Sequence, residues 1–271
     1  TLASGTEKLM PTAPTTDSTI RLHVTGCLRS GTTLMTEMLA ACFDYTQRCE
    51  HEQSIFQPIE QPTGLYLSKK PSDITHMQRI FMSDPNLYVI YMLRDPRSVI
   101  TSIHPSKSDV YFASFERWQR YESAARPLQN HPRFLQVRYE SLIRDPDEEQ
   151  KRIVNAFDFL TQRHLFSNYD KHANASKKAE ISLKGLRPIS NQNVASWREH
   201  LPRLAFQLAN YPQLKRIVRD YGYEEDDDWL KALEGVTPRT QSYGESRPPV
   251  WQRMETKLRY RLKSRRYLKN R

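Results

Sequence analysis

Nine consecutive residues, Thr25-Gly26-Cys27-Leu28-Arg29-Ser30-Gly31-Thr32-Thr33, set two glycines, an arginine and four hydroxyl side chains on one short segment. An alternating run, Ile20–Thr25, precedes it as a short strand. A helical pattern follows over Gly31–Ala41, with Leu34, Met35, Met38 and Leu39 on one side. Glycines there permit a tight turn, and the backbone N–H groups that open the helix point at an anion. Against the nucleotide-binding pattern G-x-x-x-x-G-K-[ST], Gly26, Gly31 and Thr33 fit, but Thr32 stands where the lysine belongs. That lysine reaches the β- and γ-phosphates of a nucleoside triphosphate, and a strand-end aspartate helps hold magnesium. Here the strand Leu87–Leu93 runs into Arg94 before Asp95. An anion cradle is expected, and ordinary triphosphate hydrolysis is not.

Two further groups bear on the chemistry. Arg94 closes the most apolar strand of the chain, and Ser102 follows eight residues later. A guanidinium offers a bidentate fork to a phosphate, and a serine adds a short donor. The bland alternative for Arg94 is an ion pair with Asp95. After the first helix, Arg48-Cys49-Glu50-His51-Glu52 gathers three groups able to take a proton, Glu50, His51 and Glu52. For each carboxylate the bland alternative is a solvated loop position.

The string Arg29-Ser30-Gly31-Thr32-Thr33-Leu34 resembles the 5′-phosphosulfate loop of the P-loop sulfotransferases. These take a sulfuryl group from 3′-phosphoadenosine 5′-phosphosulfate (PAPS) and release 3′-phosphoadenosine 5′-phosphate (PAP). Tyr88 to Arg97, leading to Ser102, resembles their second signature, a strand-end arginine and a serine that bind the 3′-phosphate. Val137-Arg138-Tyr139-Glu140-Ser141-Leu142 resembles the family's V-x-Y-E-x-L segment, whose tyrosine lies near the nucleotide. Ser68-Lys69-Lys70-Pro71 resembles the K-x-P motif, whose lysine approaches the transferring group. Leu186-Arg187-Pro188-Ile189, with Ser196-Trp197-Arg198, resembles a late segment that closes over the donor. The resemblance spans about residues 19–202.

The resemblance implies that Arg29, Ser30, Gly31, Thr32 and Thr33 grip the 5′-phosphosulfate. It implies that Arg94 and Ser102 grip the 3′-phosphate, with Tyr139 and Arg187 also on the donor. Lys69 and Arg29 then stabilise the departing charge, and no metal is required. The cluster around Cys49 looks most like Arg-Cys-x-Glu-Glu of the tyrosylprotein sulfotransferases, where the last glutamate is the base. That register gives Glu52, with His51 as the other candidate. Leu67 stands where that branch carries a cysteine, so Cys49 lacks the branch's disulfide partner. The acceptor expected is a hydroxyl, foremost that of a glycan or lipid-linked sugar, with protein tyrosine or a small phenol next. Rivals from other classes are a P-loop nucleotide or sugar kinase and a non-catalytic polyanion- or membrane-binding protein.

The elements that must position these residues alternate. Leu65–Lys69, Leu87–Leu93 and Phe134–Tyr139 read as further strands, the second as one buried on both faces. Phe112–Ala125, Glu148–Leu160, Leu204–Ala209 and Leu214–Tyr221 read as helices. The pattern is that of an α/β protein with a central parallel sheet flanked by helices, its ligand chemistry at the strands' carboxyl ends. Residues 1–18 read as a flexible lead-in, 19–234 as the catalytic domain, 235–250 as a linker and 251–271 as a final helix.

The net charge of +10 is local. Lys257, Arg259, Arg261, Lys263, Arg265, Arg266, Lys269 and Arg271 fall together with no acid among them; removing those eight from the 41 Lys and Arg leaves 33 against 31 acids. A nearly neutral body argues against nucleic acid as a partner. Trp251, Met254, Leu258 and Leu262 recur at helical spacing in the same tail, giving two readings: packing on the domain, or docking on an anionic membrane surface. The expected setting is cytoplasmic, peripheral at the inner membrane face, or lumenal if an anchor precedes the sequence. The three cysteines, with no C-x-x-C pair, read as buried thiols rather than a disulfide framework or a metal site.

Overall fold

The computed structural model describes residues 19–104, 107–191, 194–239 and 249–269. The lead-in expected over 1–18 and most of the linker expected over 235–250 lie outside these.

A five-stranded parallel sheet carries the fold, in the order β2-β3-β1-β4-β7. Its strands are β1 (Ile20–Gly26), β2 (Gln47–Arg48), β3 (Leu65–Lys69), β4 (Leu87–Leu93) and β7 (Phe134–Arg138). The remaining two strands, β5 (Ile103–His104) and β6 (Lys107–Tyr111), form a separate antiparallel pair. β1 is central, with β3 on one side and β4 on the other. The chain therefore reverses its direction of winding at β1, and a crevice opens beyond its carboxyl end.

Helices cover both faces. They are α1 (Thr32–Cys42), α2 (Gln78–Ser83), α3 (Pro96–Ile100), α4 (Phe115–Ala125), α5 (Tyr139–Arg144), α6 (Pro146–Ala156), α7 (Tyr169–His172), α8 (Lys177–Leu183), α9 (Leu201–Asn210), α10 (Gln213–Asp220) and α11 (Val250–Lys269). The reason β4 reads as one apolar run is visible in its partners. Val89, Tyr91 and Leu93 point into a core with Phe115, Trp118 and Leu204, whereas Ile90 and Met92 join Met35, Met38 and Val137 on the opposite face. The three cysteines are free and buried. Burial raises the thiols of Cys27 and Cys42 to about 12, which leaves both in the unreactive form.

Sequence boundaries shift where tertiary contacts decide them. Tyr139 starts α5 instead of ending β7, and α4 begins at Phe115 because Ser114 caps it, its hydroxyl accepting from the N–H of Arg117. The acidic stretch places Pro146 in the first turn of α6, with Asp147, Glu148 and Glu149 beside it. Among the described residues, no helix is long and apolar enough to cross a membrane.

Gly26 ends β1 at φ +151°, and a Cβ there would lie 2.6 Å from the carbonyl oxygen of Met92. Backbone of the paired strand cannot yield as a side chain can. Gly26→Ala is therefore expected to cost about 1–3 kcal/mol and lower Tm by several degrees in differential scanning calorimetry. An unchanged Tm would contradict this close approach.

Candidate active site

The crevice beyond β1 is a cleft of about 650 Å³. Residues at the carboxyl ends of three strands meet in it: the loop after β1, Arg94 after β4 and Tyr139 after β7. Lys69 ends β3 beside them. The sequence thus placed its candidates on separate strands, and the parallel sheet gathers them at one edge.

The loop is shaped from within. Ser30 is buried, and both its hydroxyl and its N–H donate to the carbonyl of Cys27, at 2.7 and 3.1 Å. Both bonds close the turn that precedes α1. Arg29 takes the left-handed conformation at φ +70°, and Gly31 follows at φ +94°. A Cβ on Gly31 would meet the Tyr139 ring at 2.6 Å, so only glycine lets the loop rest on that tyrosine. The first N–H groups of α1, from Thr32 to Leu34, have no intrahelical partner, and its first turn carries no acid. Thr32, Thr33 and Leu34 line the cleft.

Arg94 joins the strand end to this loop. Its Nη1 donates to the carbonyl of Arg29 at 2.9 Å, and its guanidinium lies over the Tyr139 ring at 4.1 Å. The indole of Trp118 fixes the Arg94 backbone by donating to its carbonyl at 2.9 Å. The expected alternative, an ion pair with Asp95, is not what Asp95 does. Its carboxylate holds Arg97, at 2.7 Å from Nη2, and Arg97 is itself packed over Trp197 and reaches Glu224. Ser102 lines the cleft and accepts a hydrogen bond from Nε of Arg29 at 2.8 Å. Arg29 is therefore tied to Ser102 by its side chain and to Arg94 by its backbone. Burial lowers the Arg29 pKa, and the adjacent Arg94 charge lowers it further. Two guanidinium groups held this close favour an anion between or beside them.

Lys69 sits behind the loop, buried, with Nζ donating to the hydroxyl of Thr33 at 2.8 Å. Burial lowers its pKa, while Glu52, Cys49 and Glu37 pull the other way. Its route to the cleft runs through Thr33.

The candidate bases ride on a clamped loop. Cys49 N–H donates to the carbonyl of Leu67 and Gln53 N–H to that of Lys69, each at 2.9 Å. From beneath, the buried guanidinium of Arg21 donates to Ser68 Oγ and to the carbonyls of Ser54, Ile55 and Gln57. His51 and Glu52 both line the cleft. Glu52 Oε2 accepts from Lys70 Nζ at 2.6 Å, leaving Oε1 outside that ion pair. Nδ1 of His51 is buried without a hydrogen-bond partner among the described residues. Burial lowers the His51 pKa, the Lys69 charge adds to this, and Glu52 opposes it.

The far wall was less legible. Arg187 lines the cleft, and its carbonyl accepts from the Tyr169 hydroxyl at 3.0 Å. Lys178, Ile181, Ser182 and Lys184 line it too, and nothing in the apolar periodicity singled them out. The usable signal was capping: Ser176 opens α8, and Lys184-Gly185 ends it in the left-handed conformation.

A model of the sulfotransferase family matches residues 51–163, a span that holds His51, Glu52, Lys69, Arg94, Ser102 and Tyr139. No curated protein matches the sequence. Among solved structures, the sulfotransferase domain of the Synechococcus PCC 7002 olefin synthase is similar at 16% identity and a TM-score of 0.47, covering 71% of this chain and 91% of that one. A mouse sulfotransferase complexed with PAP is similar at 13% identity and a TM-score of 0.39, covering 80% and 89%. A retinol dehydratase in complex with androsterone and PAP gives 13% and 0.39, covering 82% of each chain.

The His51 imidazole is expected to titrate below the ordinary 6.5, because burial disfavours its charged form. It then stays neutral as pH falls until that lowered pKa is reached. The C2 proton shift of His51, identified by its loss in His51→Gln, reads the midpoint by NMR; a value above 6.5 would contradict the burial.

Proposed function

We propose, from the sulfotransferase family model that matches residues 51–163 and the cleft those residues line, that this chain is a sulfotransferase that transfers a sulfuryl group from PAPS to a hydroxyl of a carbohydrate acceptor. When bound, PAPS supplies the sulfuryl group and departs as PAP. The observation that carries the donor assignment is the contact of Arg29 with Ser102 and Arg94. It brings the loop that would take the 5′ end against the pair that would take the 3′-phosphate. Buried cations beside the uncapped start of α1 fit a doubly anionic ligand.

Each residue then has a role. Arg94 and Ser102 hold the 3′-phosphate, with Tyr139 supporting the guanidinium. The N–H groups of Thr32 and Thr33 and the Thr33 hydroxyl face the 5′ end, with Arg187 on the opposite wall. Lys69, hydrogen-bonded to Thr33, and Arg29 stabilise negative charge on the leaving oxygen. Glu52 takes the acceptor proton through Oε1 while Lys70 holds Oε2. A second reading gives that proton to His51, favoured by its unpartnered Nδ1 and lowered pKa.

The acceptor assignment rests on the wall beside these bases. His51, Glu52, Lys178 and Ser182 present charged and hydroxyl groups there, which suit a hydroxyl-rich ring. Protein tyrosine and small phenols are the alternatives that an acceptor panel separates.

PAP without metal should raise Tm more than ADP with magnesium or heparin, the ligands that the kinase and polyanion-binding readings favour. Arg94→Ala should weaken PAP by about 1.5–3 kcal/mol in calorimetry while adenosine 5′-phosphosulfate, lacking the 3′-phosphate, hardly changes. Equal losses would contradict the assignment.

Glu52→Gln should lower turnover about 10²–10⁴-fold with PAP affinity kept. If activity instead survives that change and is lost in His51→Gln, the base is His51, and the rate should fall only below pH 6.5 as its imidazole protonates.

A further inference from the structure

The final helix, α11, meets the body on the side opposite to the one its hydropathy pattern suggests. Its contact face is made of Tyr260, Ser264 and Tyr267. Tyr260 stacks on His76 with ring centroids 3.8 Å apart and meets the edge of Phe56 at 5.0 Å. Tyr267 donates its hydroxyl to the Asp84 carboxylate, and Ser264 is only 3% exposed. These residues are four and three apart, so they form one side of the helix.

The apolar stripe lies on the other side. Val250, Trp251, Met254, Leu258 and Leu262 recur at helical steps, and they are 62, 67, 67, 58 and 55% exposed. Sequence alone left open whether this stripe packs on the domain; the structure turns it outward. Rotating it inward would break the stacking on His76 and the bond to Asp84. Burying such a stripe is favourable, and no described residue covers it.

Charge selects the occupant. Arg253, Lys257, Arg259, Arg261, Lys263, Arg265, Arg266 and Lys269 surround the stripe, against the single acid Glu255. None of these cations pairs with a carboxylate among the described residues. A second copy presenting the same stripe would bring these cations together, which opposes self-association. An anionic lipid surface offers both acyl chains for the stripe and phosphate for its rim. Trp251, near the start of the stripe, is of the type that settles at the headgroup level.

We propose that α11 is an interfacial helix, held rigidly on the body by its tyrosine face, that docks the protein on an anionic membrane through Trp251, Met254, Leu258 and Leu262. This inference is independent of the donor and acceptor assignments.

The test uses the full chain and sedimentation with vesicles. Protein should pellet with phosphatidylcholine containing about 30 mol% phosphatidylserine at low salt, not with phosphatidylcholine alone, and should release as salt rises toward about 0.5 M. Removing two rim cations in Arg261→Gln/Arg265→Gln should cut partitioning by roughly 30-fold. Leu258→Glu/Leu262→Glu should abolish it with Tm unchanged, since neither side chain packs on the body. Trp251 emission, taken as the difference between wild type and Trp251→Phe, should shift to shorter wavelength on the anionic vesicles. Full-length protein that stays in solution with anionic vesicles at low salt overturns the proposal. So does a dimer in sedimentation velocity that Leu258→Glu/Leu262→Glu dissociates, because the stripe then belongs to a second copy.

Discussion

The hydrogen bond from Arg94 to the backbone carbonyl of Arg29 is the constraint on which the site depends. It requires Arg29 to hold a left-handed backbone, Gly31 to pass without a side chain over Tyr139, and Trp118 to fix the strand end. It also brings together two guanidinium groups that would otherwise repel, in a place where water screens them poorly. A protein keeps such an arrangement where a ligand of opposite charge completes it. The loop after β1 and the arginine after β4 are thereby joined in one cationic wall of the cleft, which the proposed function reads as an anion site with two ends.

Around that contact, the molecule separates positive charge by role. Arg97 is spent on Asp95 and Glu224 between two tryptophans, and Arg21 on the carbonyls beneath the His51–Glu52 loop. Both are structural cations with their partners supplied. Lys69 stands between these classes, buried and tied to Thr33, whose residue lines the cleft. The cations of α11 form a third class at the surface, with no carboxylate partner among the described residues.

Much of this was legible because parallel strands covered on both faces are continuous apolar runs. Leu87–Leu93 and Leu65–Lys69 have the same limits in sequence and structure, and the residues at their ends are the candidate site residues. What was not legible depends on partners distant in sequence. The turn-closing role of Ser30 follows from a hydroxyl direction that no spacing encodes. The Asp95–Arg97 pair belongs to α3, five residues long and too short for a periodic signal. For α11, apolar periodicity revealed the stripe but not the docked face, because tyrosines carry an apolar ring and a polar tip and count for little in hydropathy.

A crystal structure with PAP bound tests the central claim most directly. The account predicts the 3′-phosphate between Arg94 and Ser102, the 5′-phosphate at the N–H groups of Thr32 and Thr33, and the Arg29 side chain released from Ser102. PAP lying with its 5′-phosphate on Arg94, or bound outside the cleft with the Arg29–Ser102 bond intact, would contradict it.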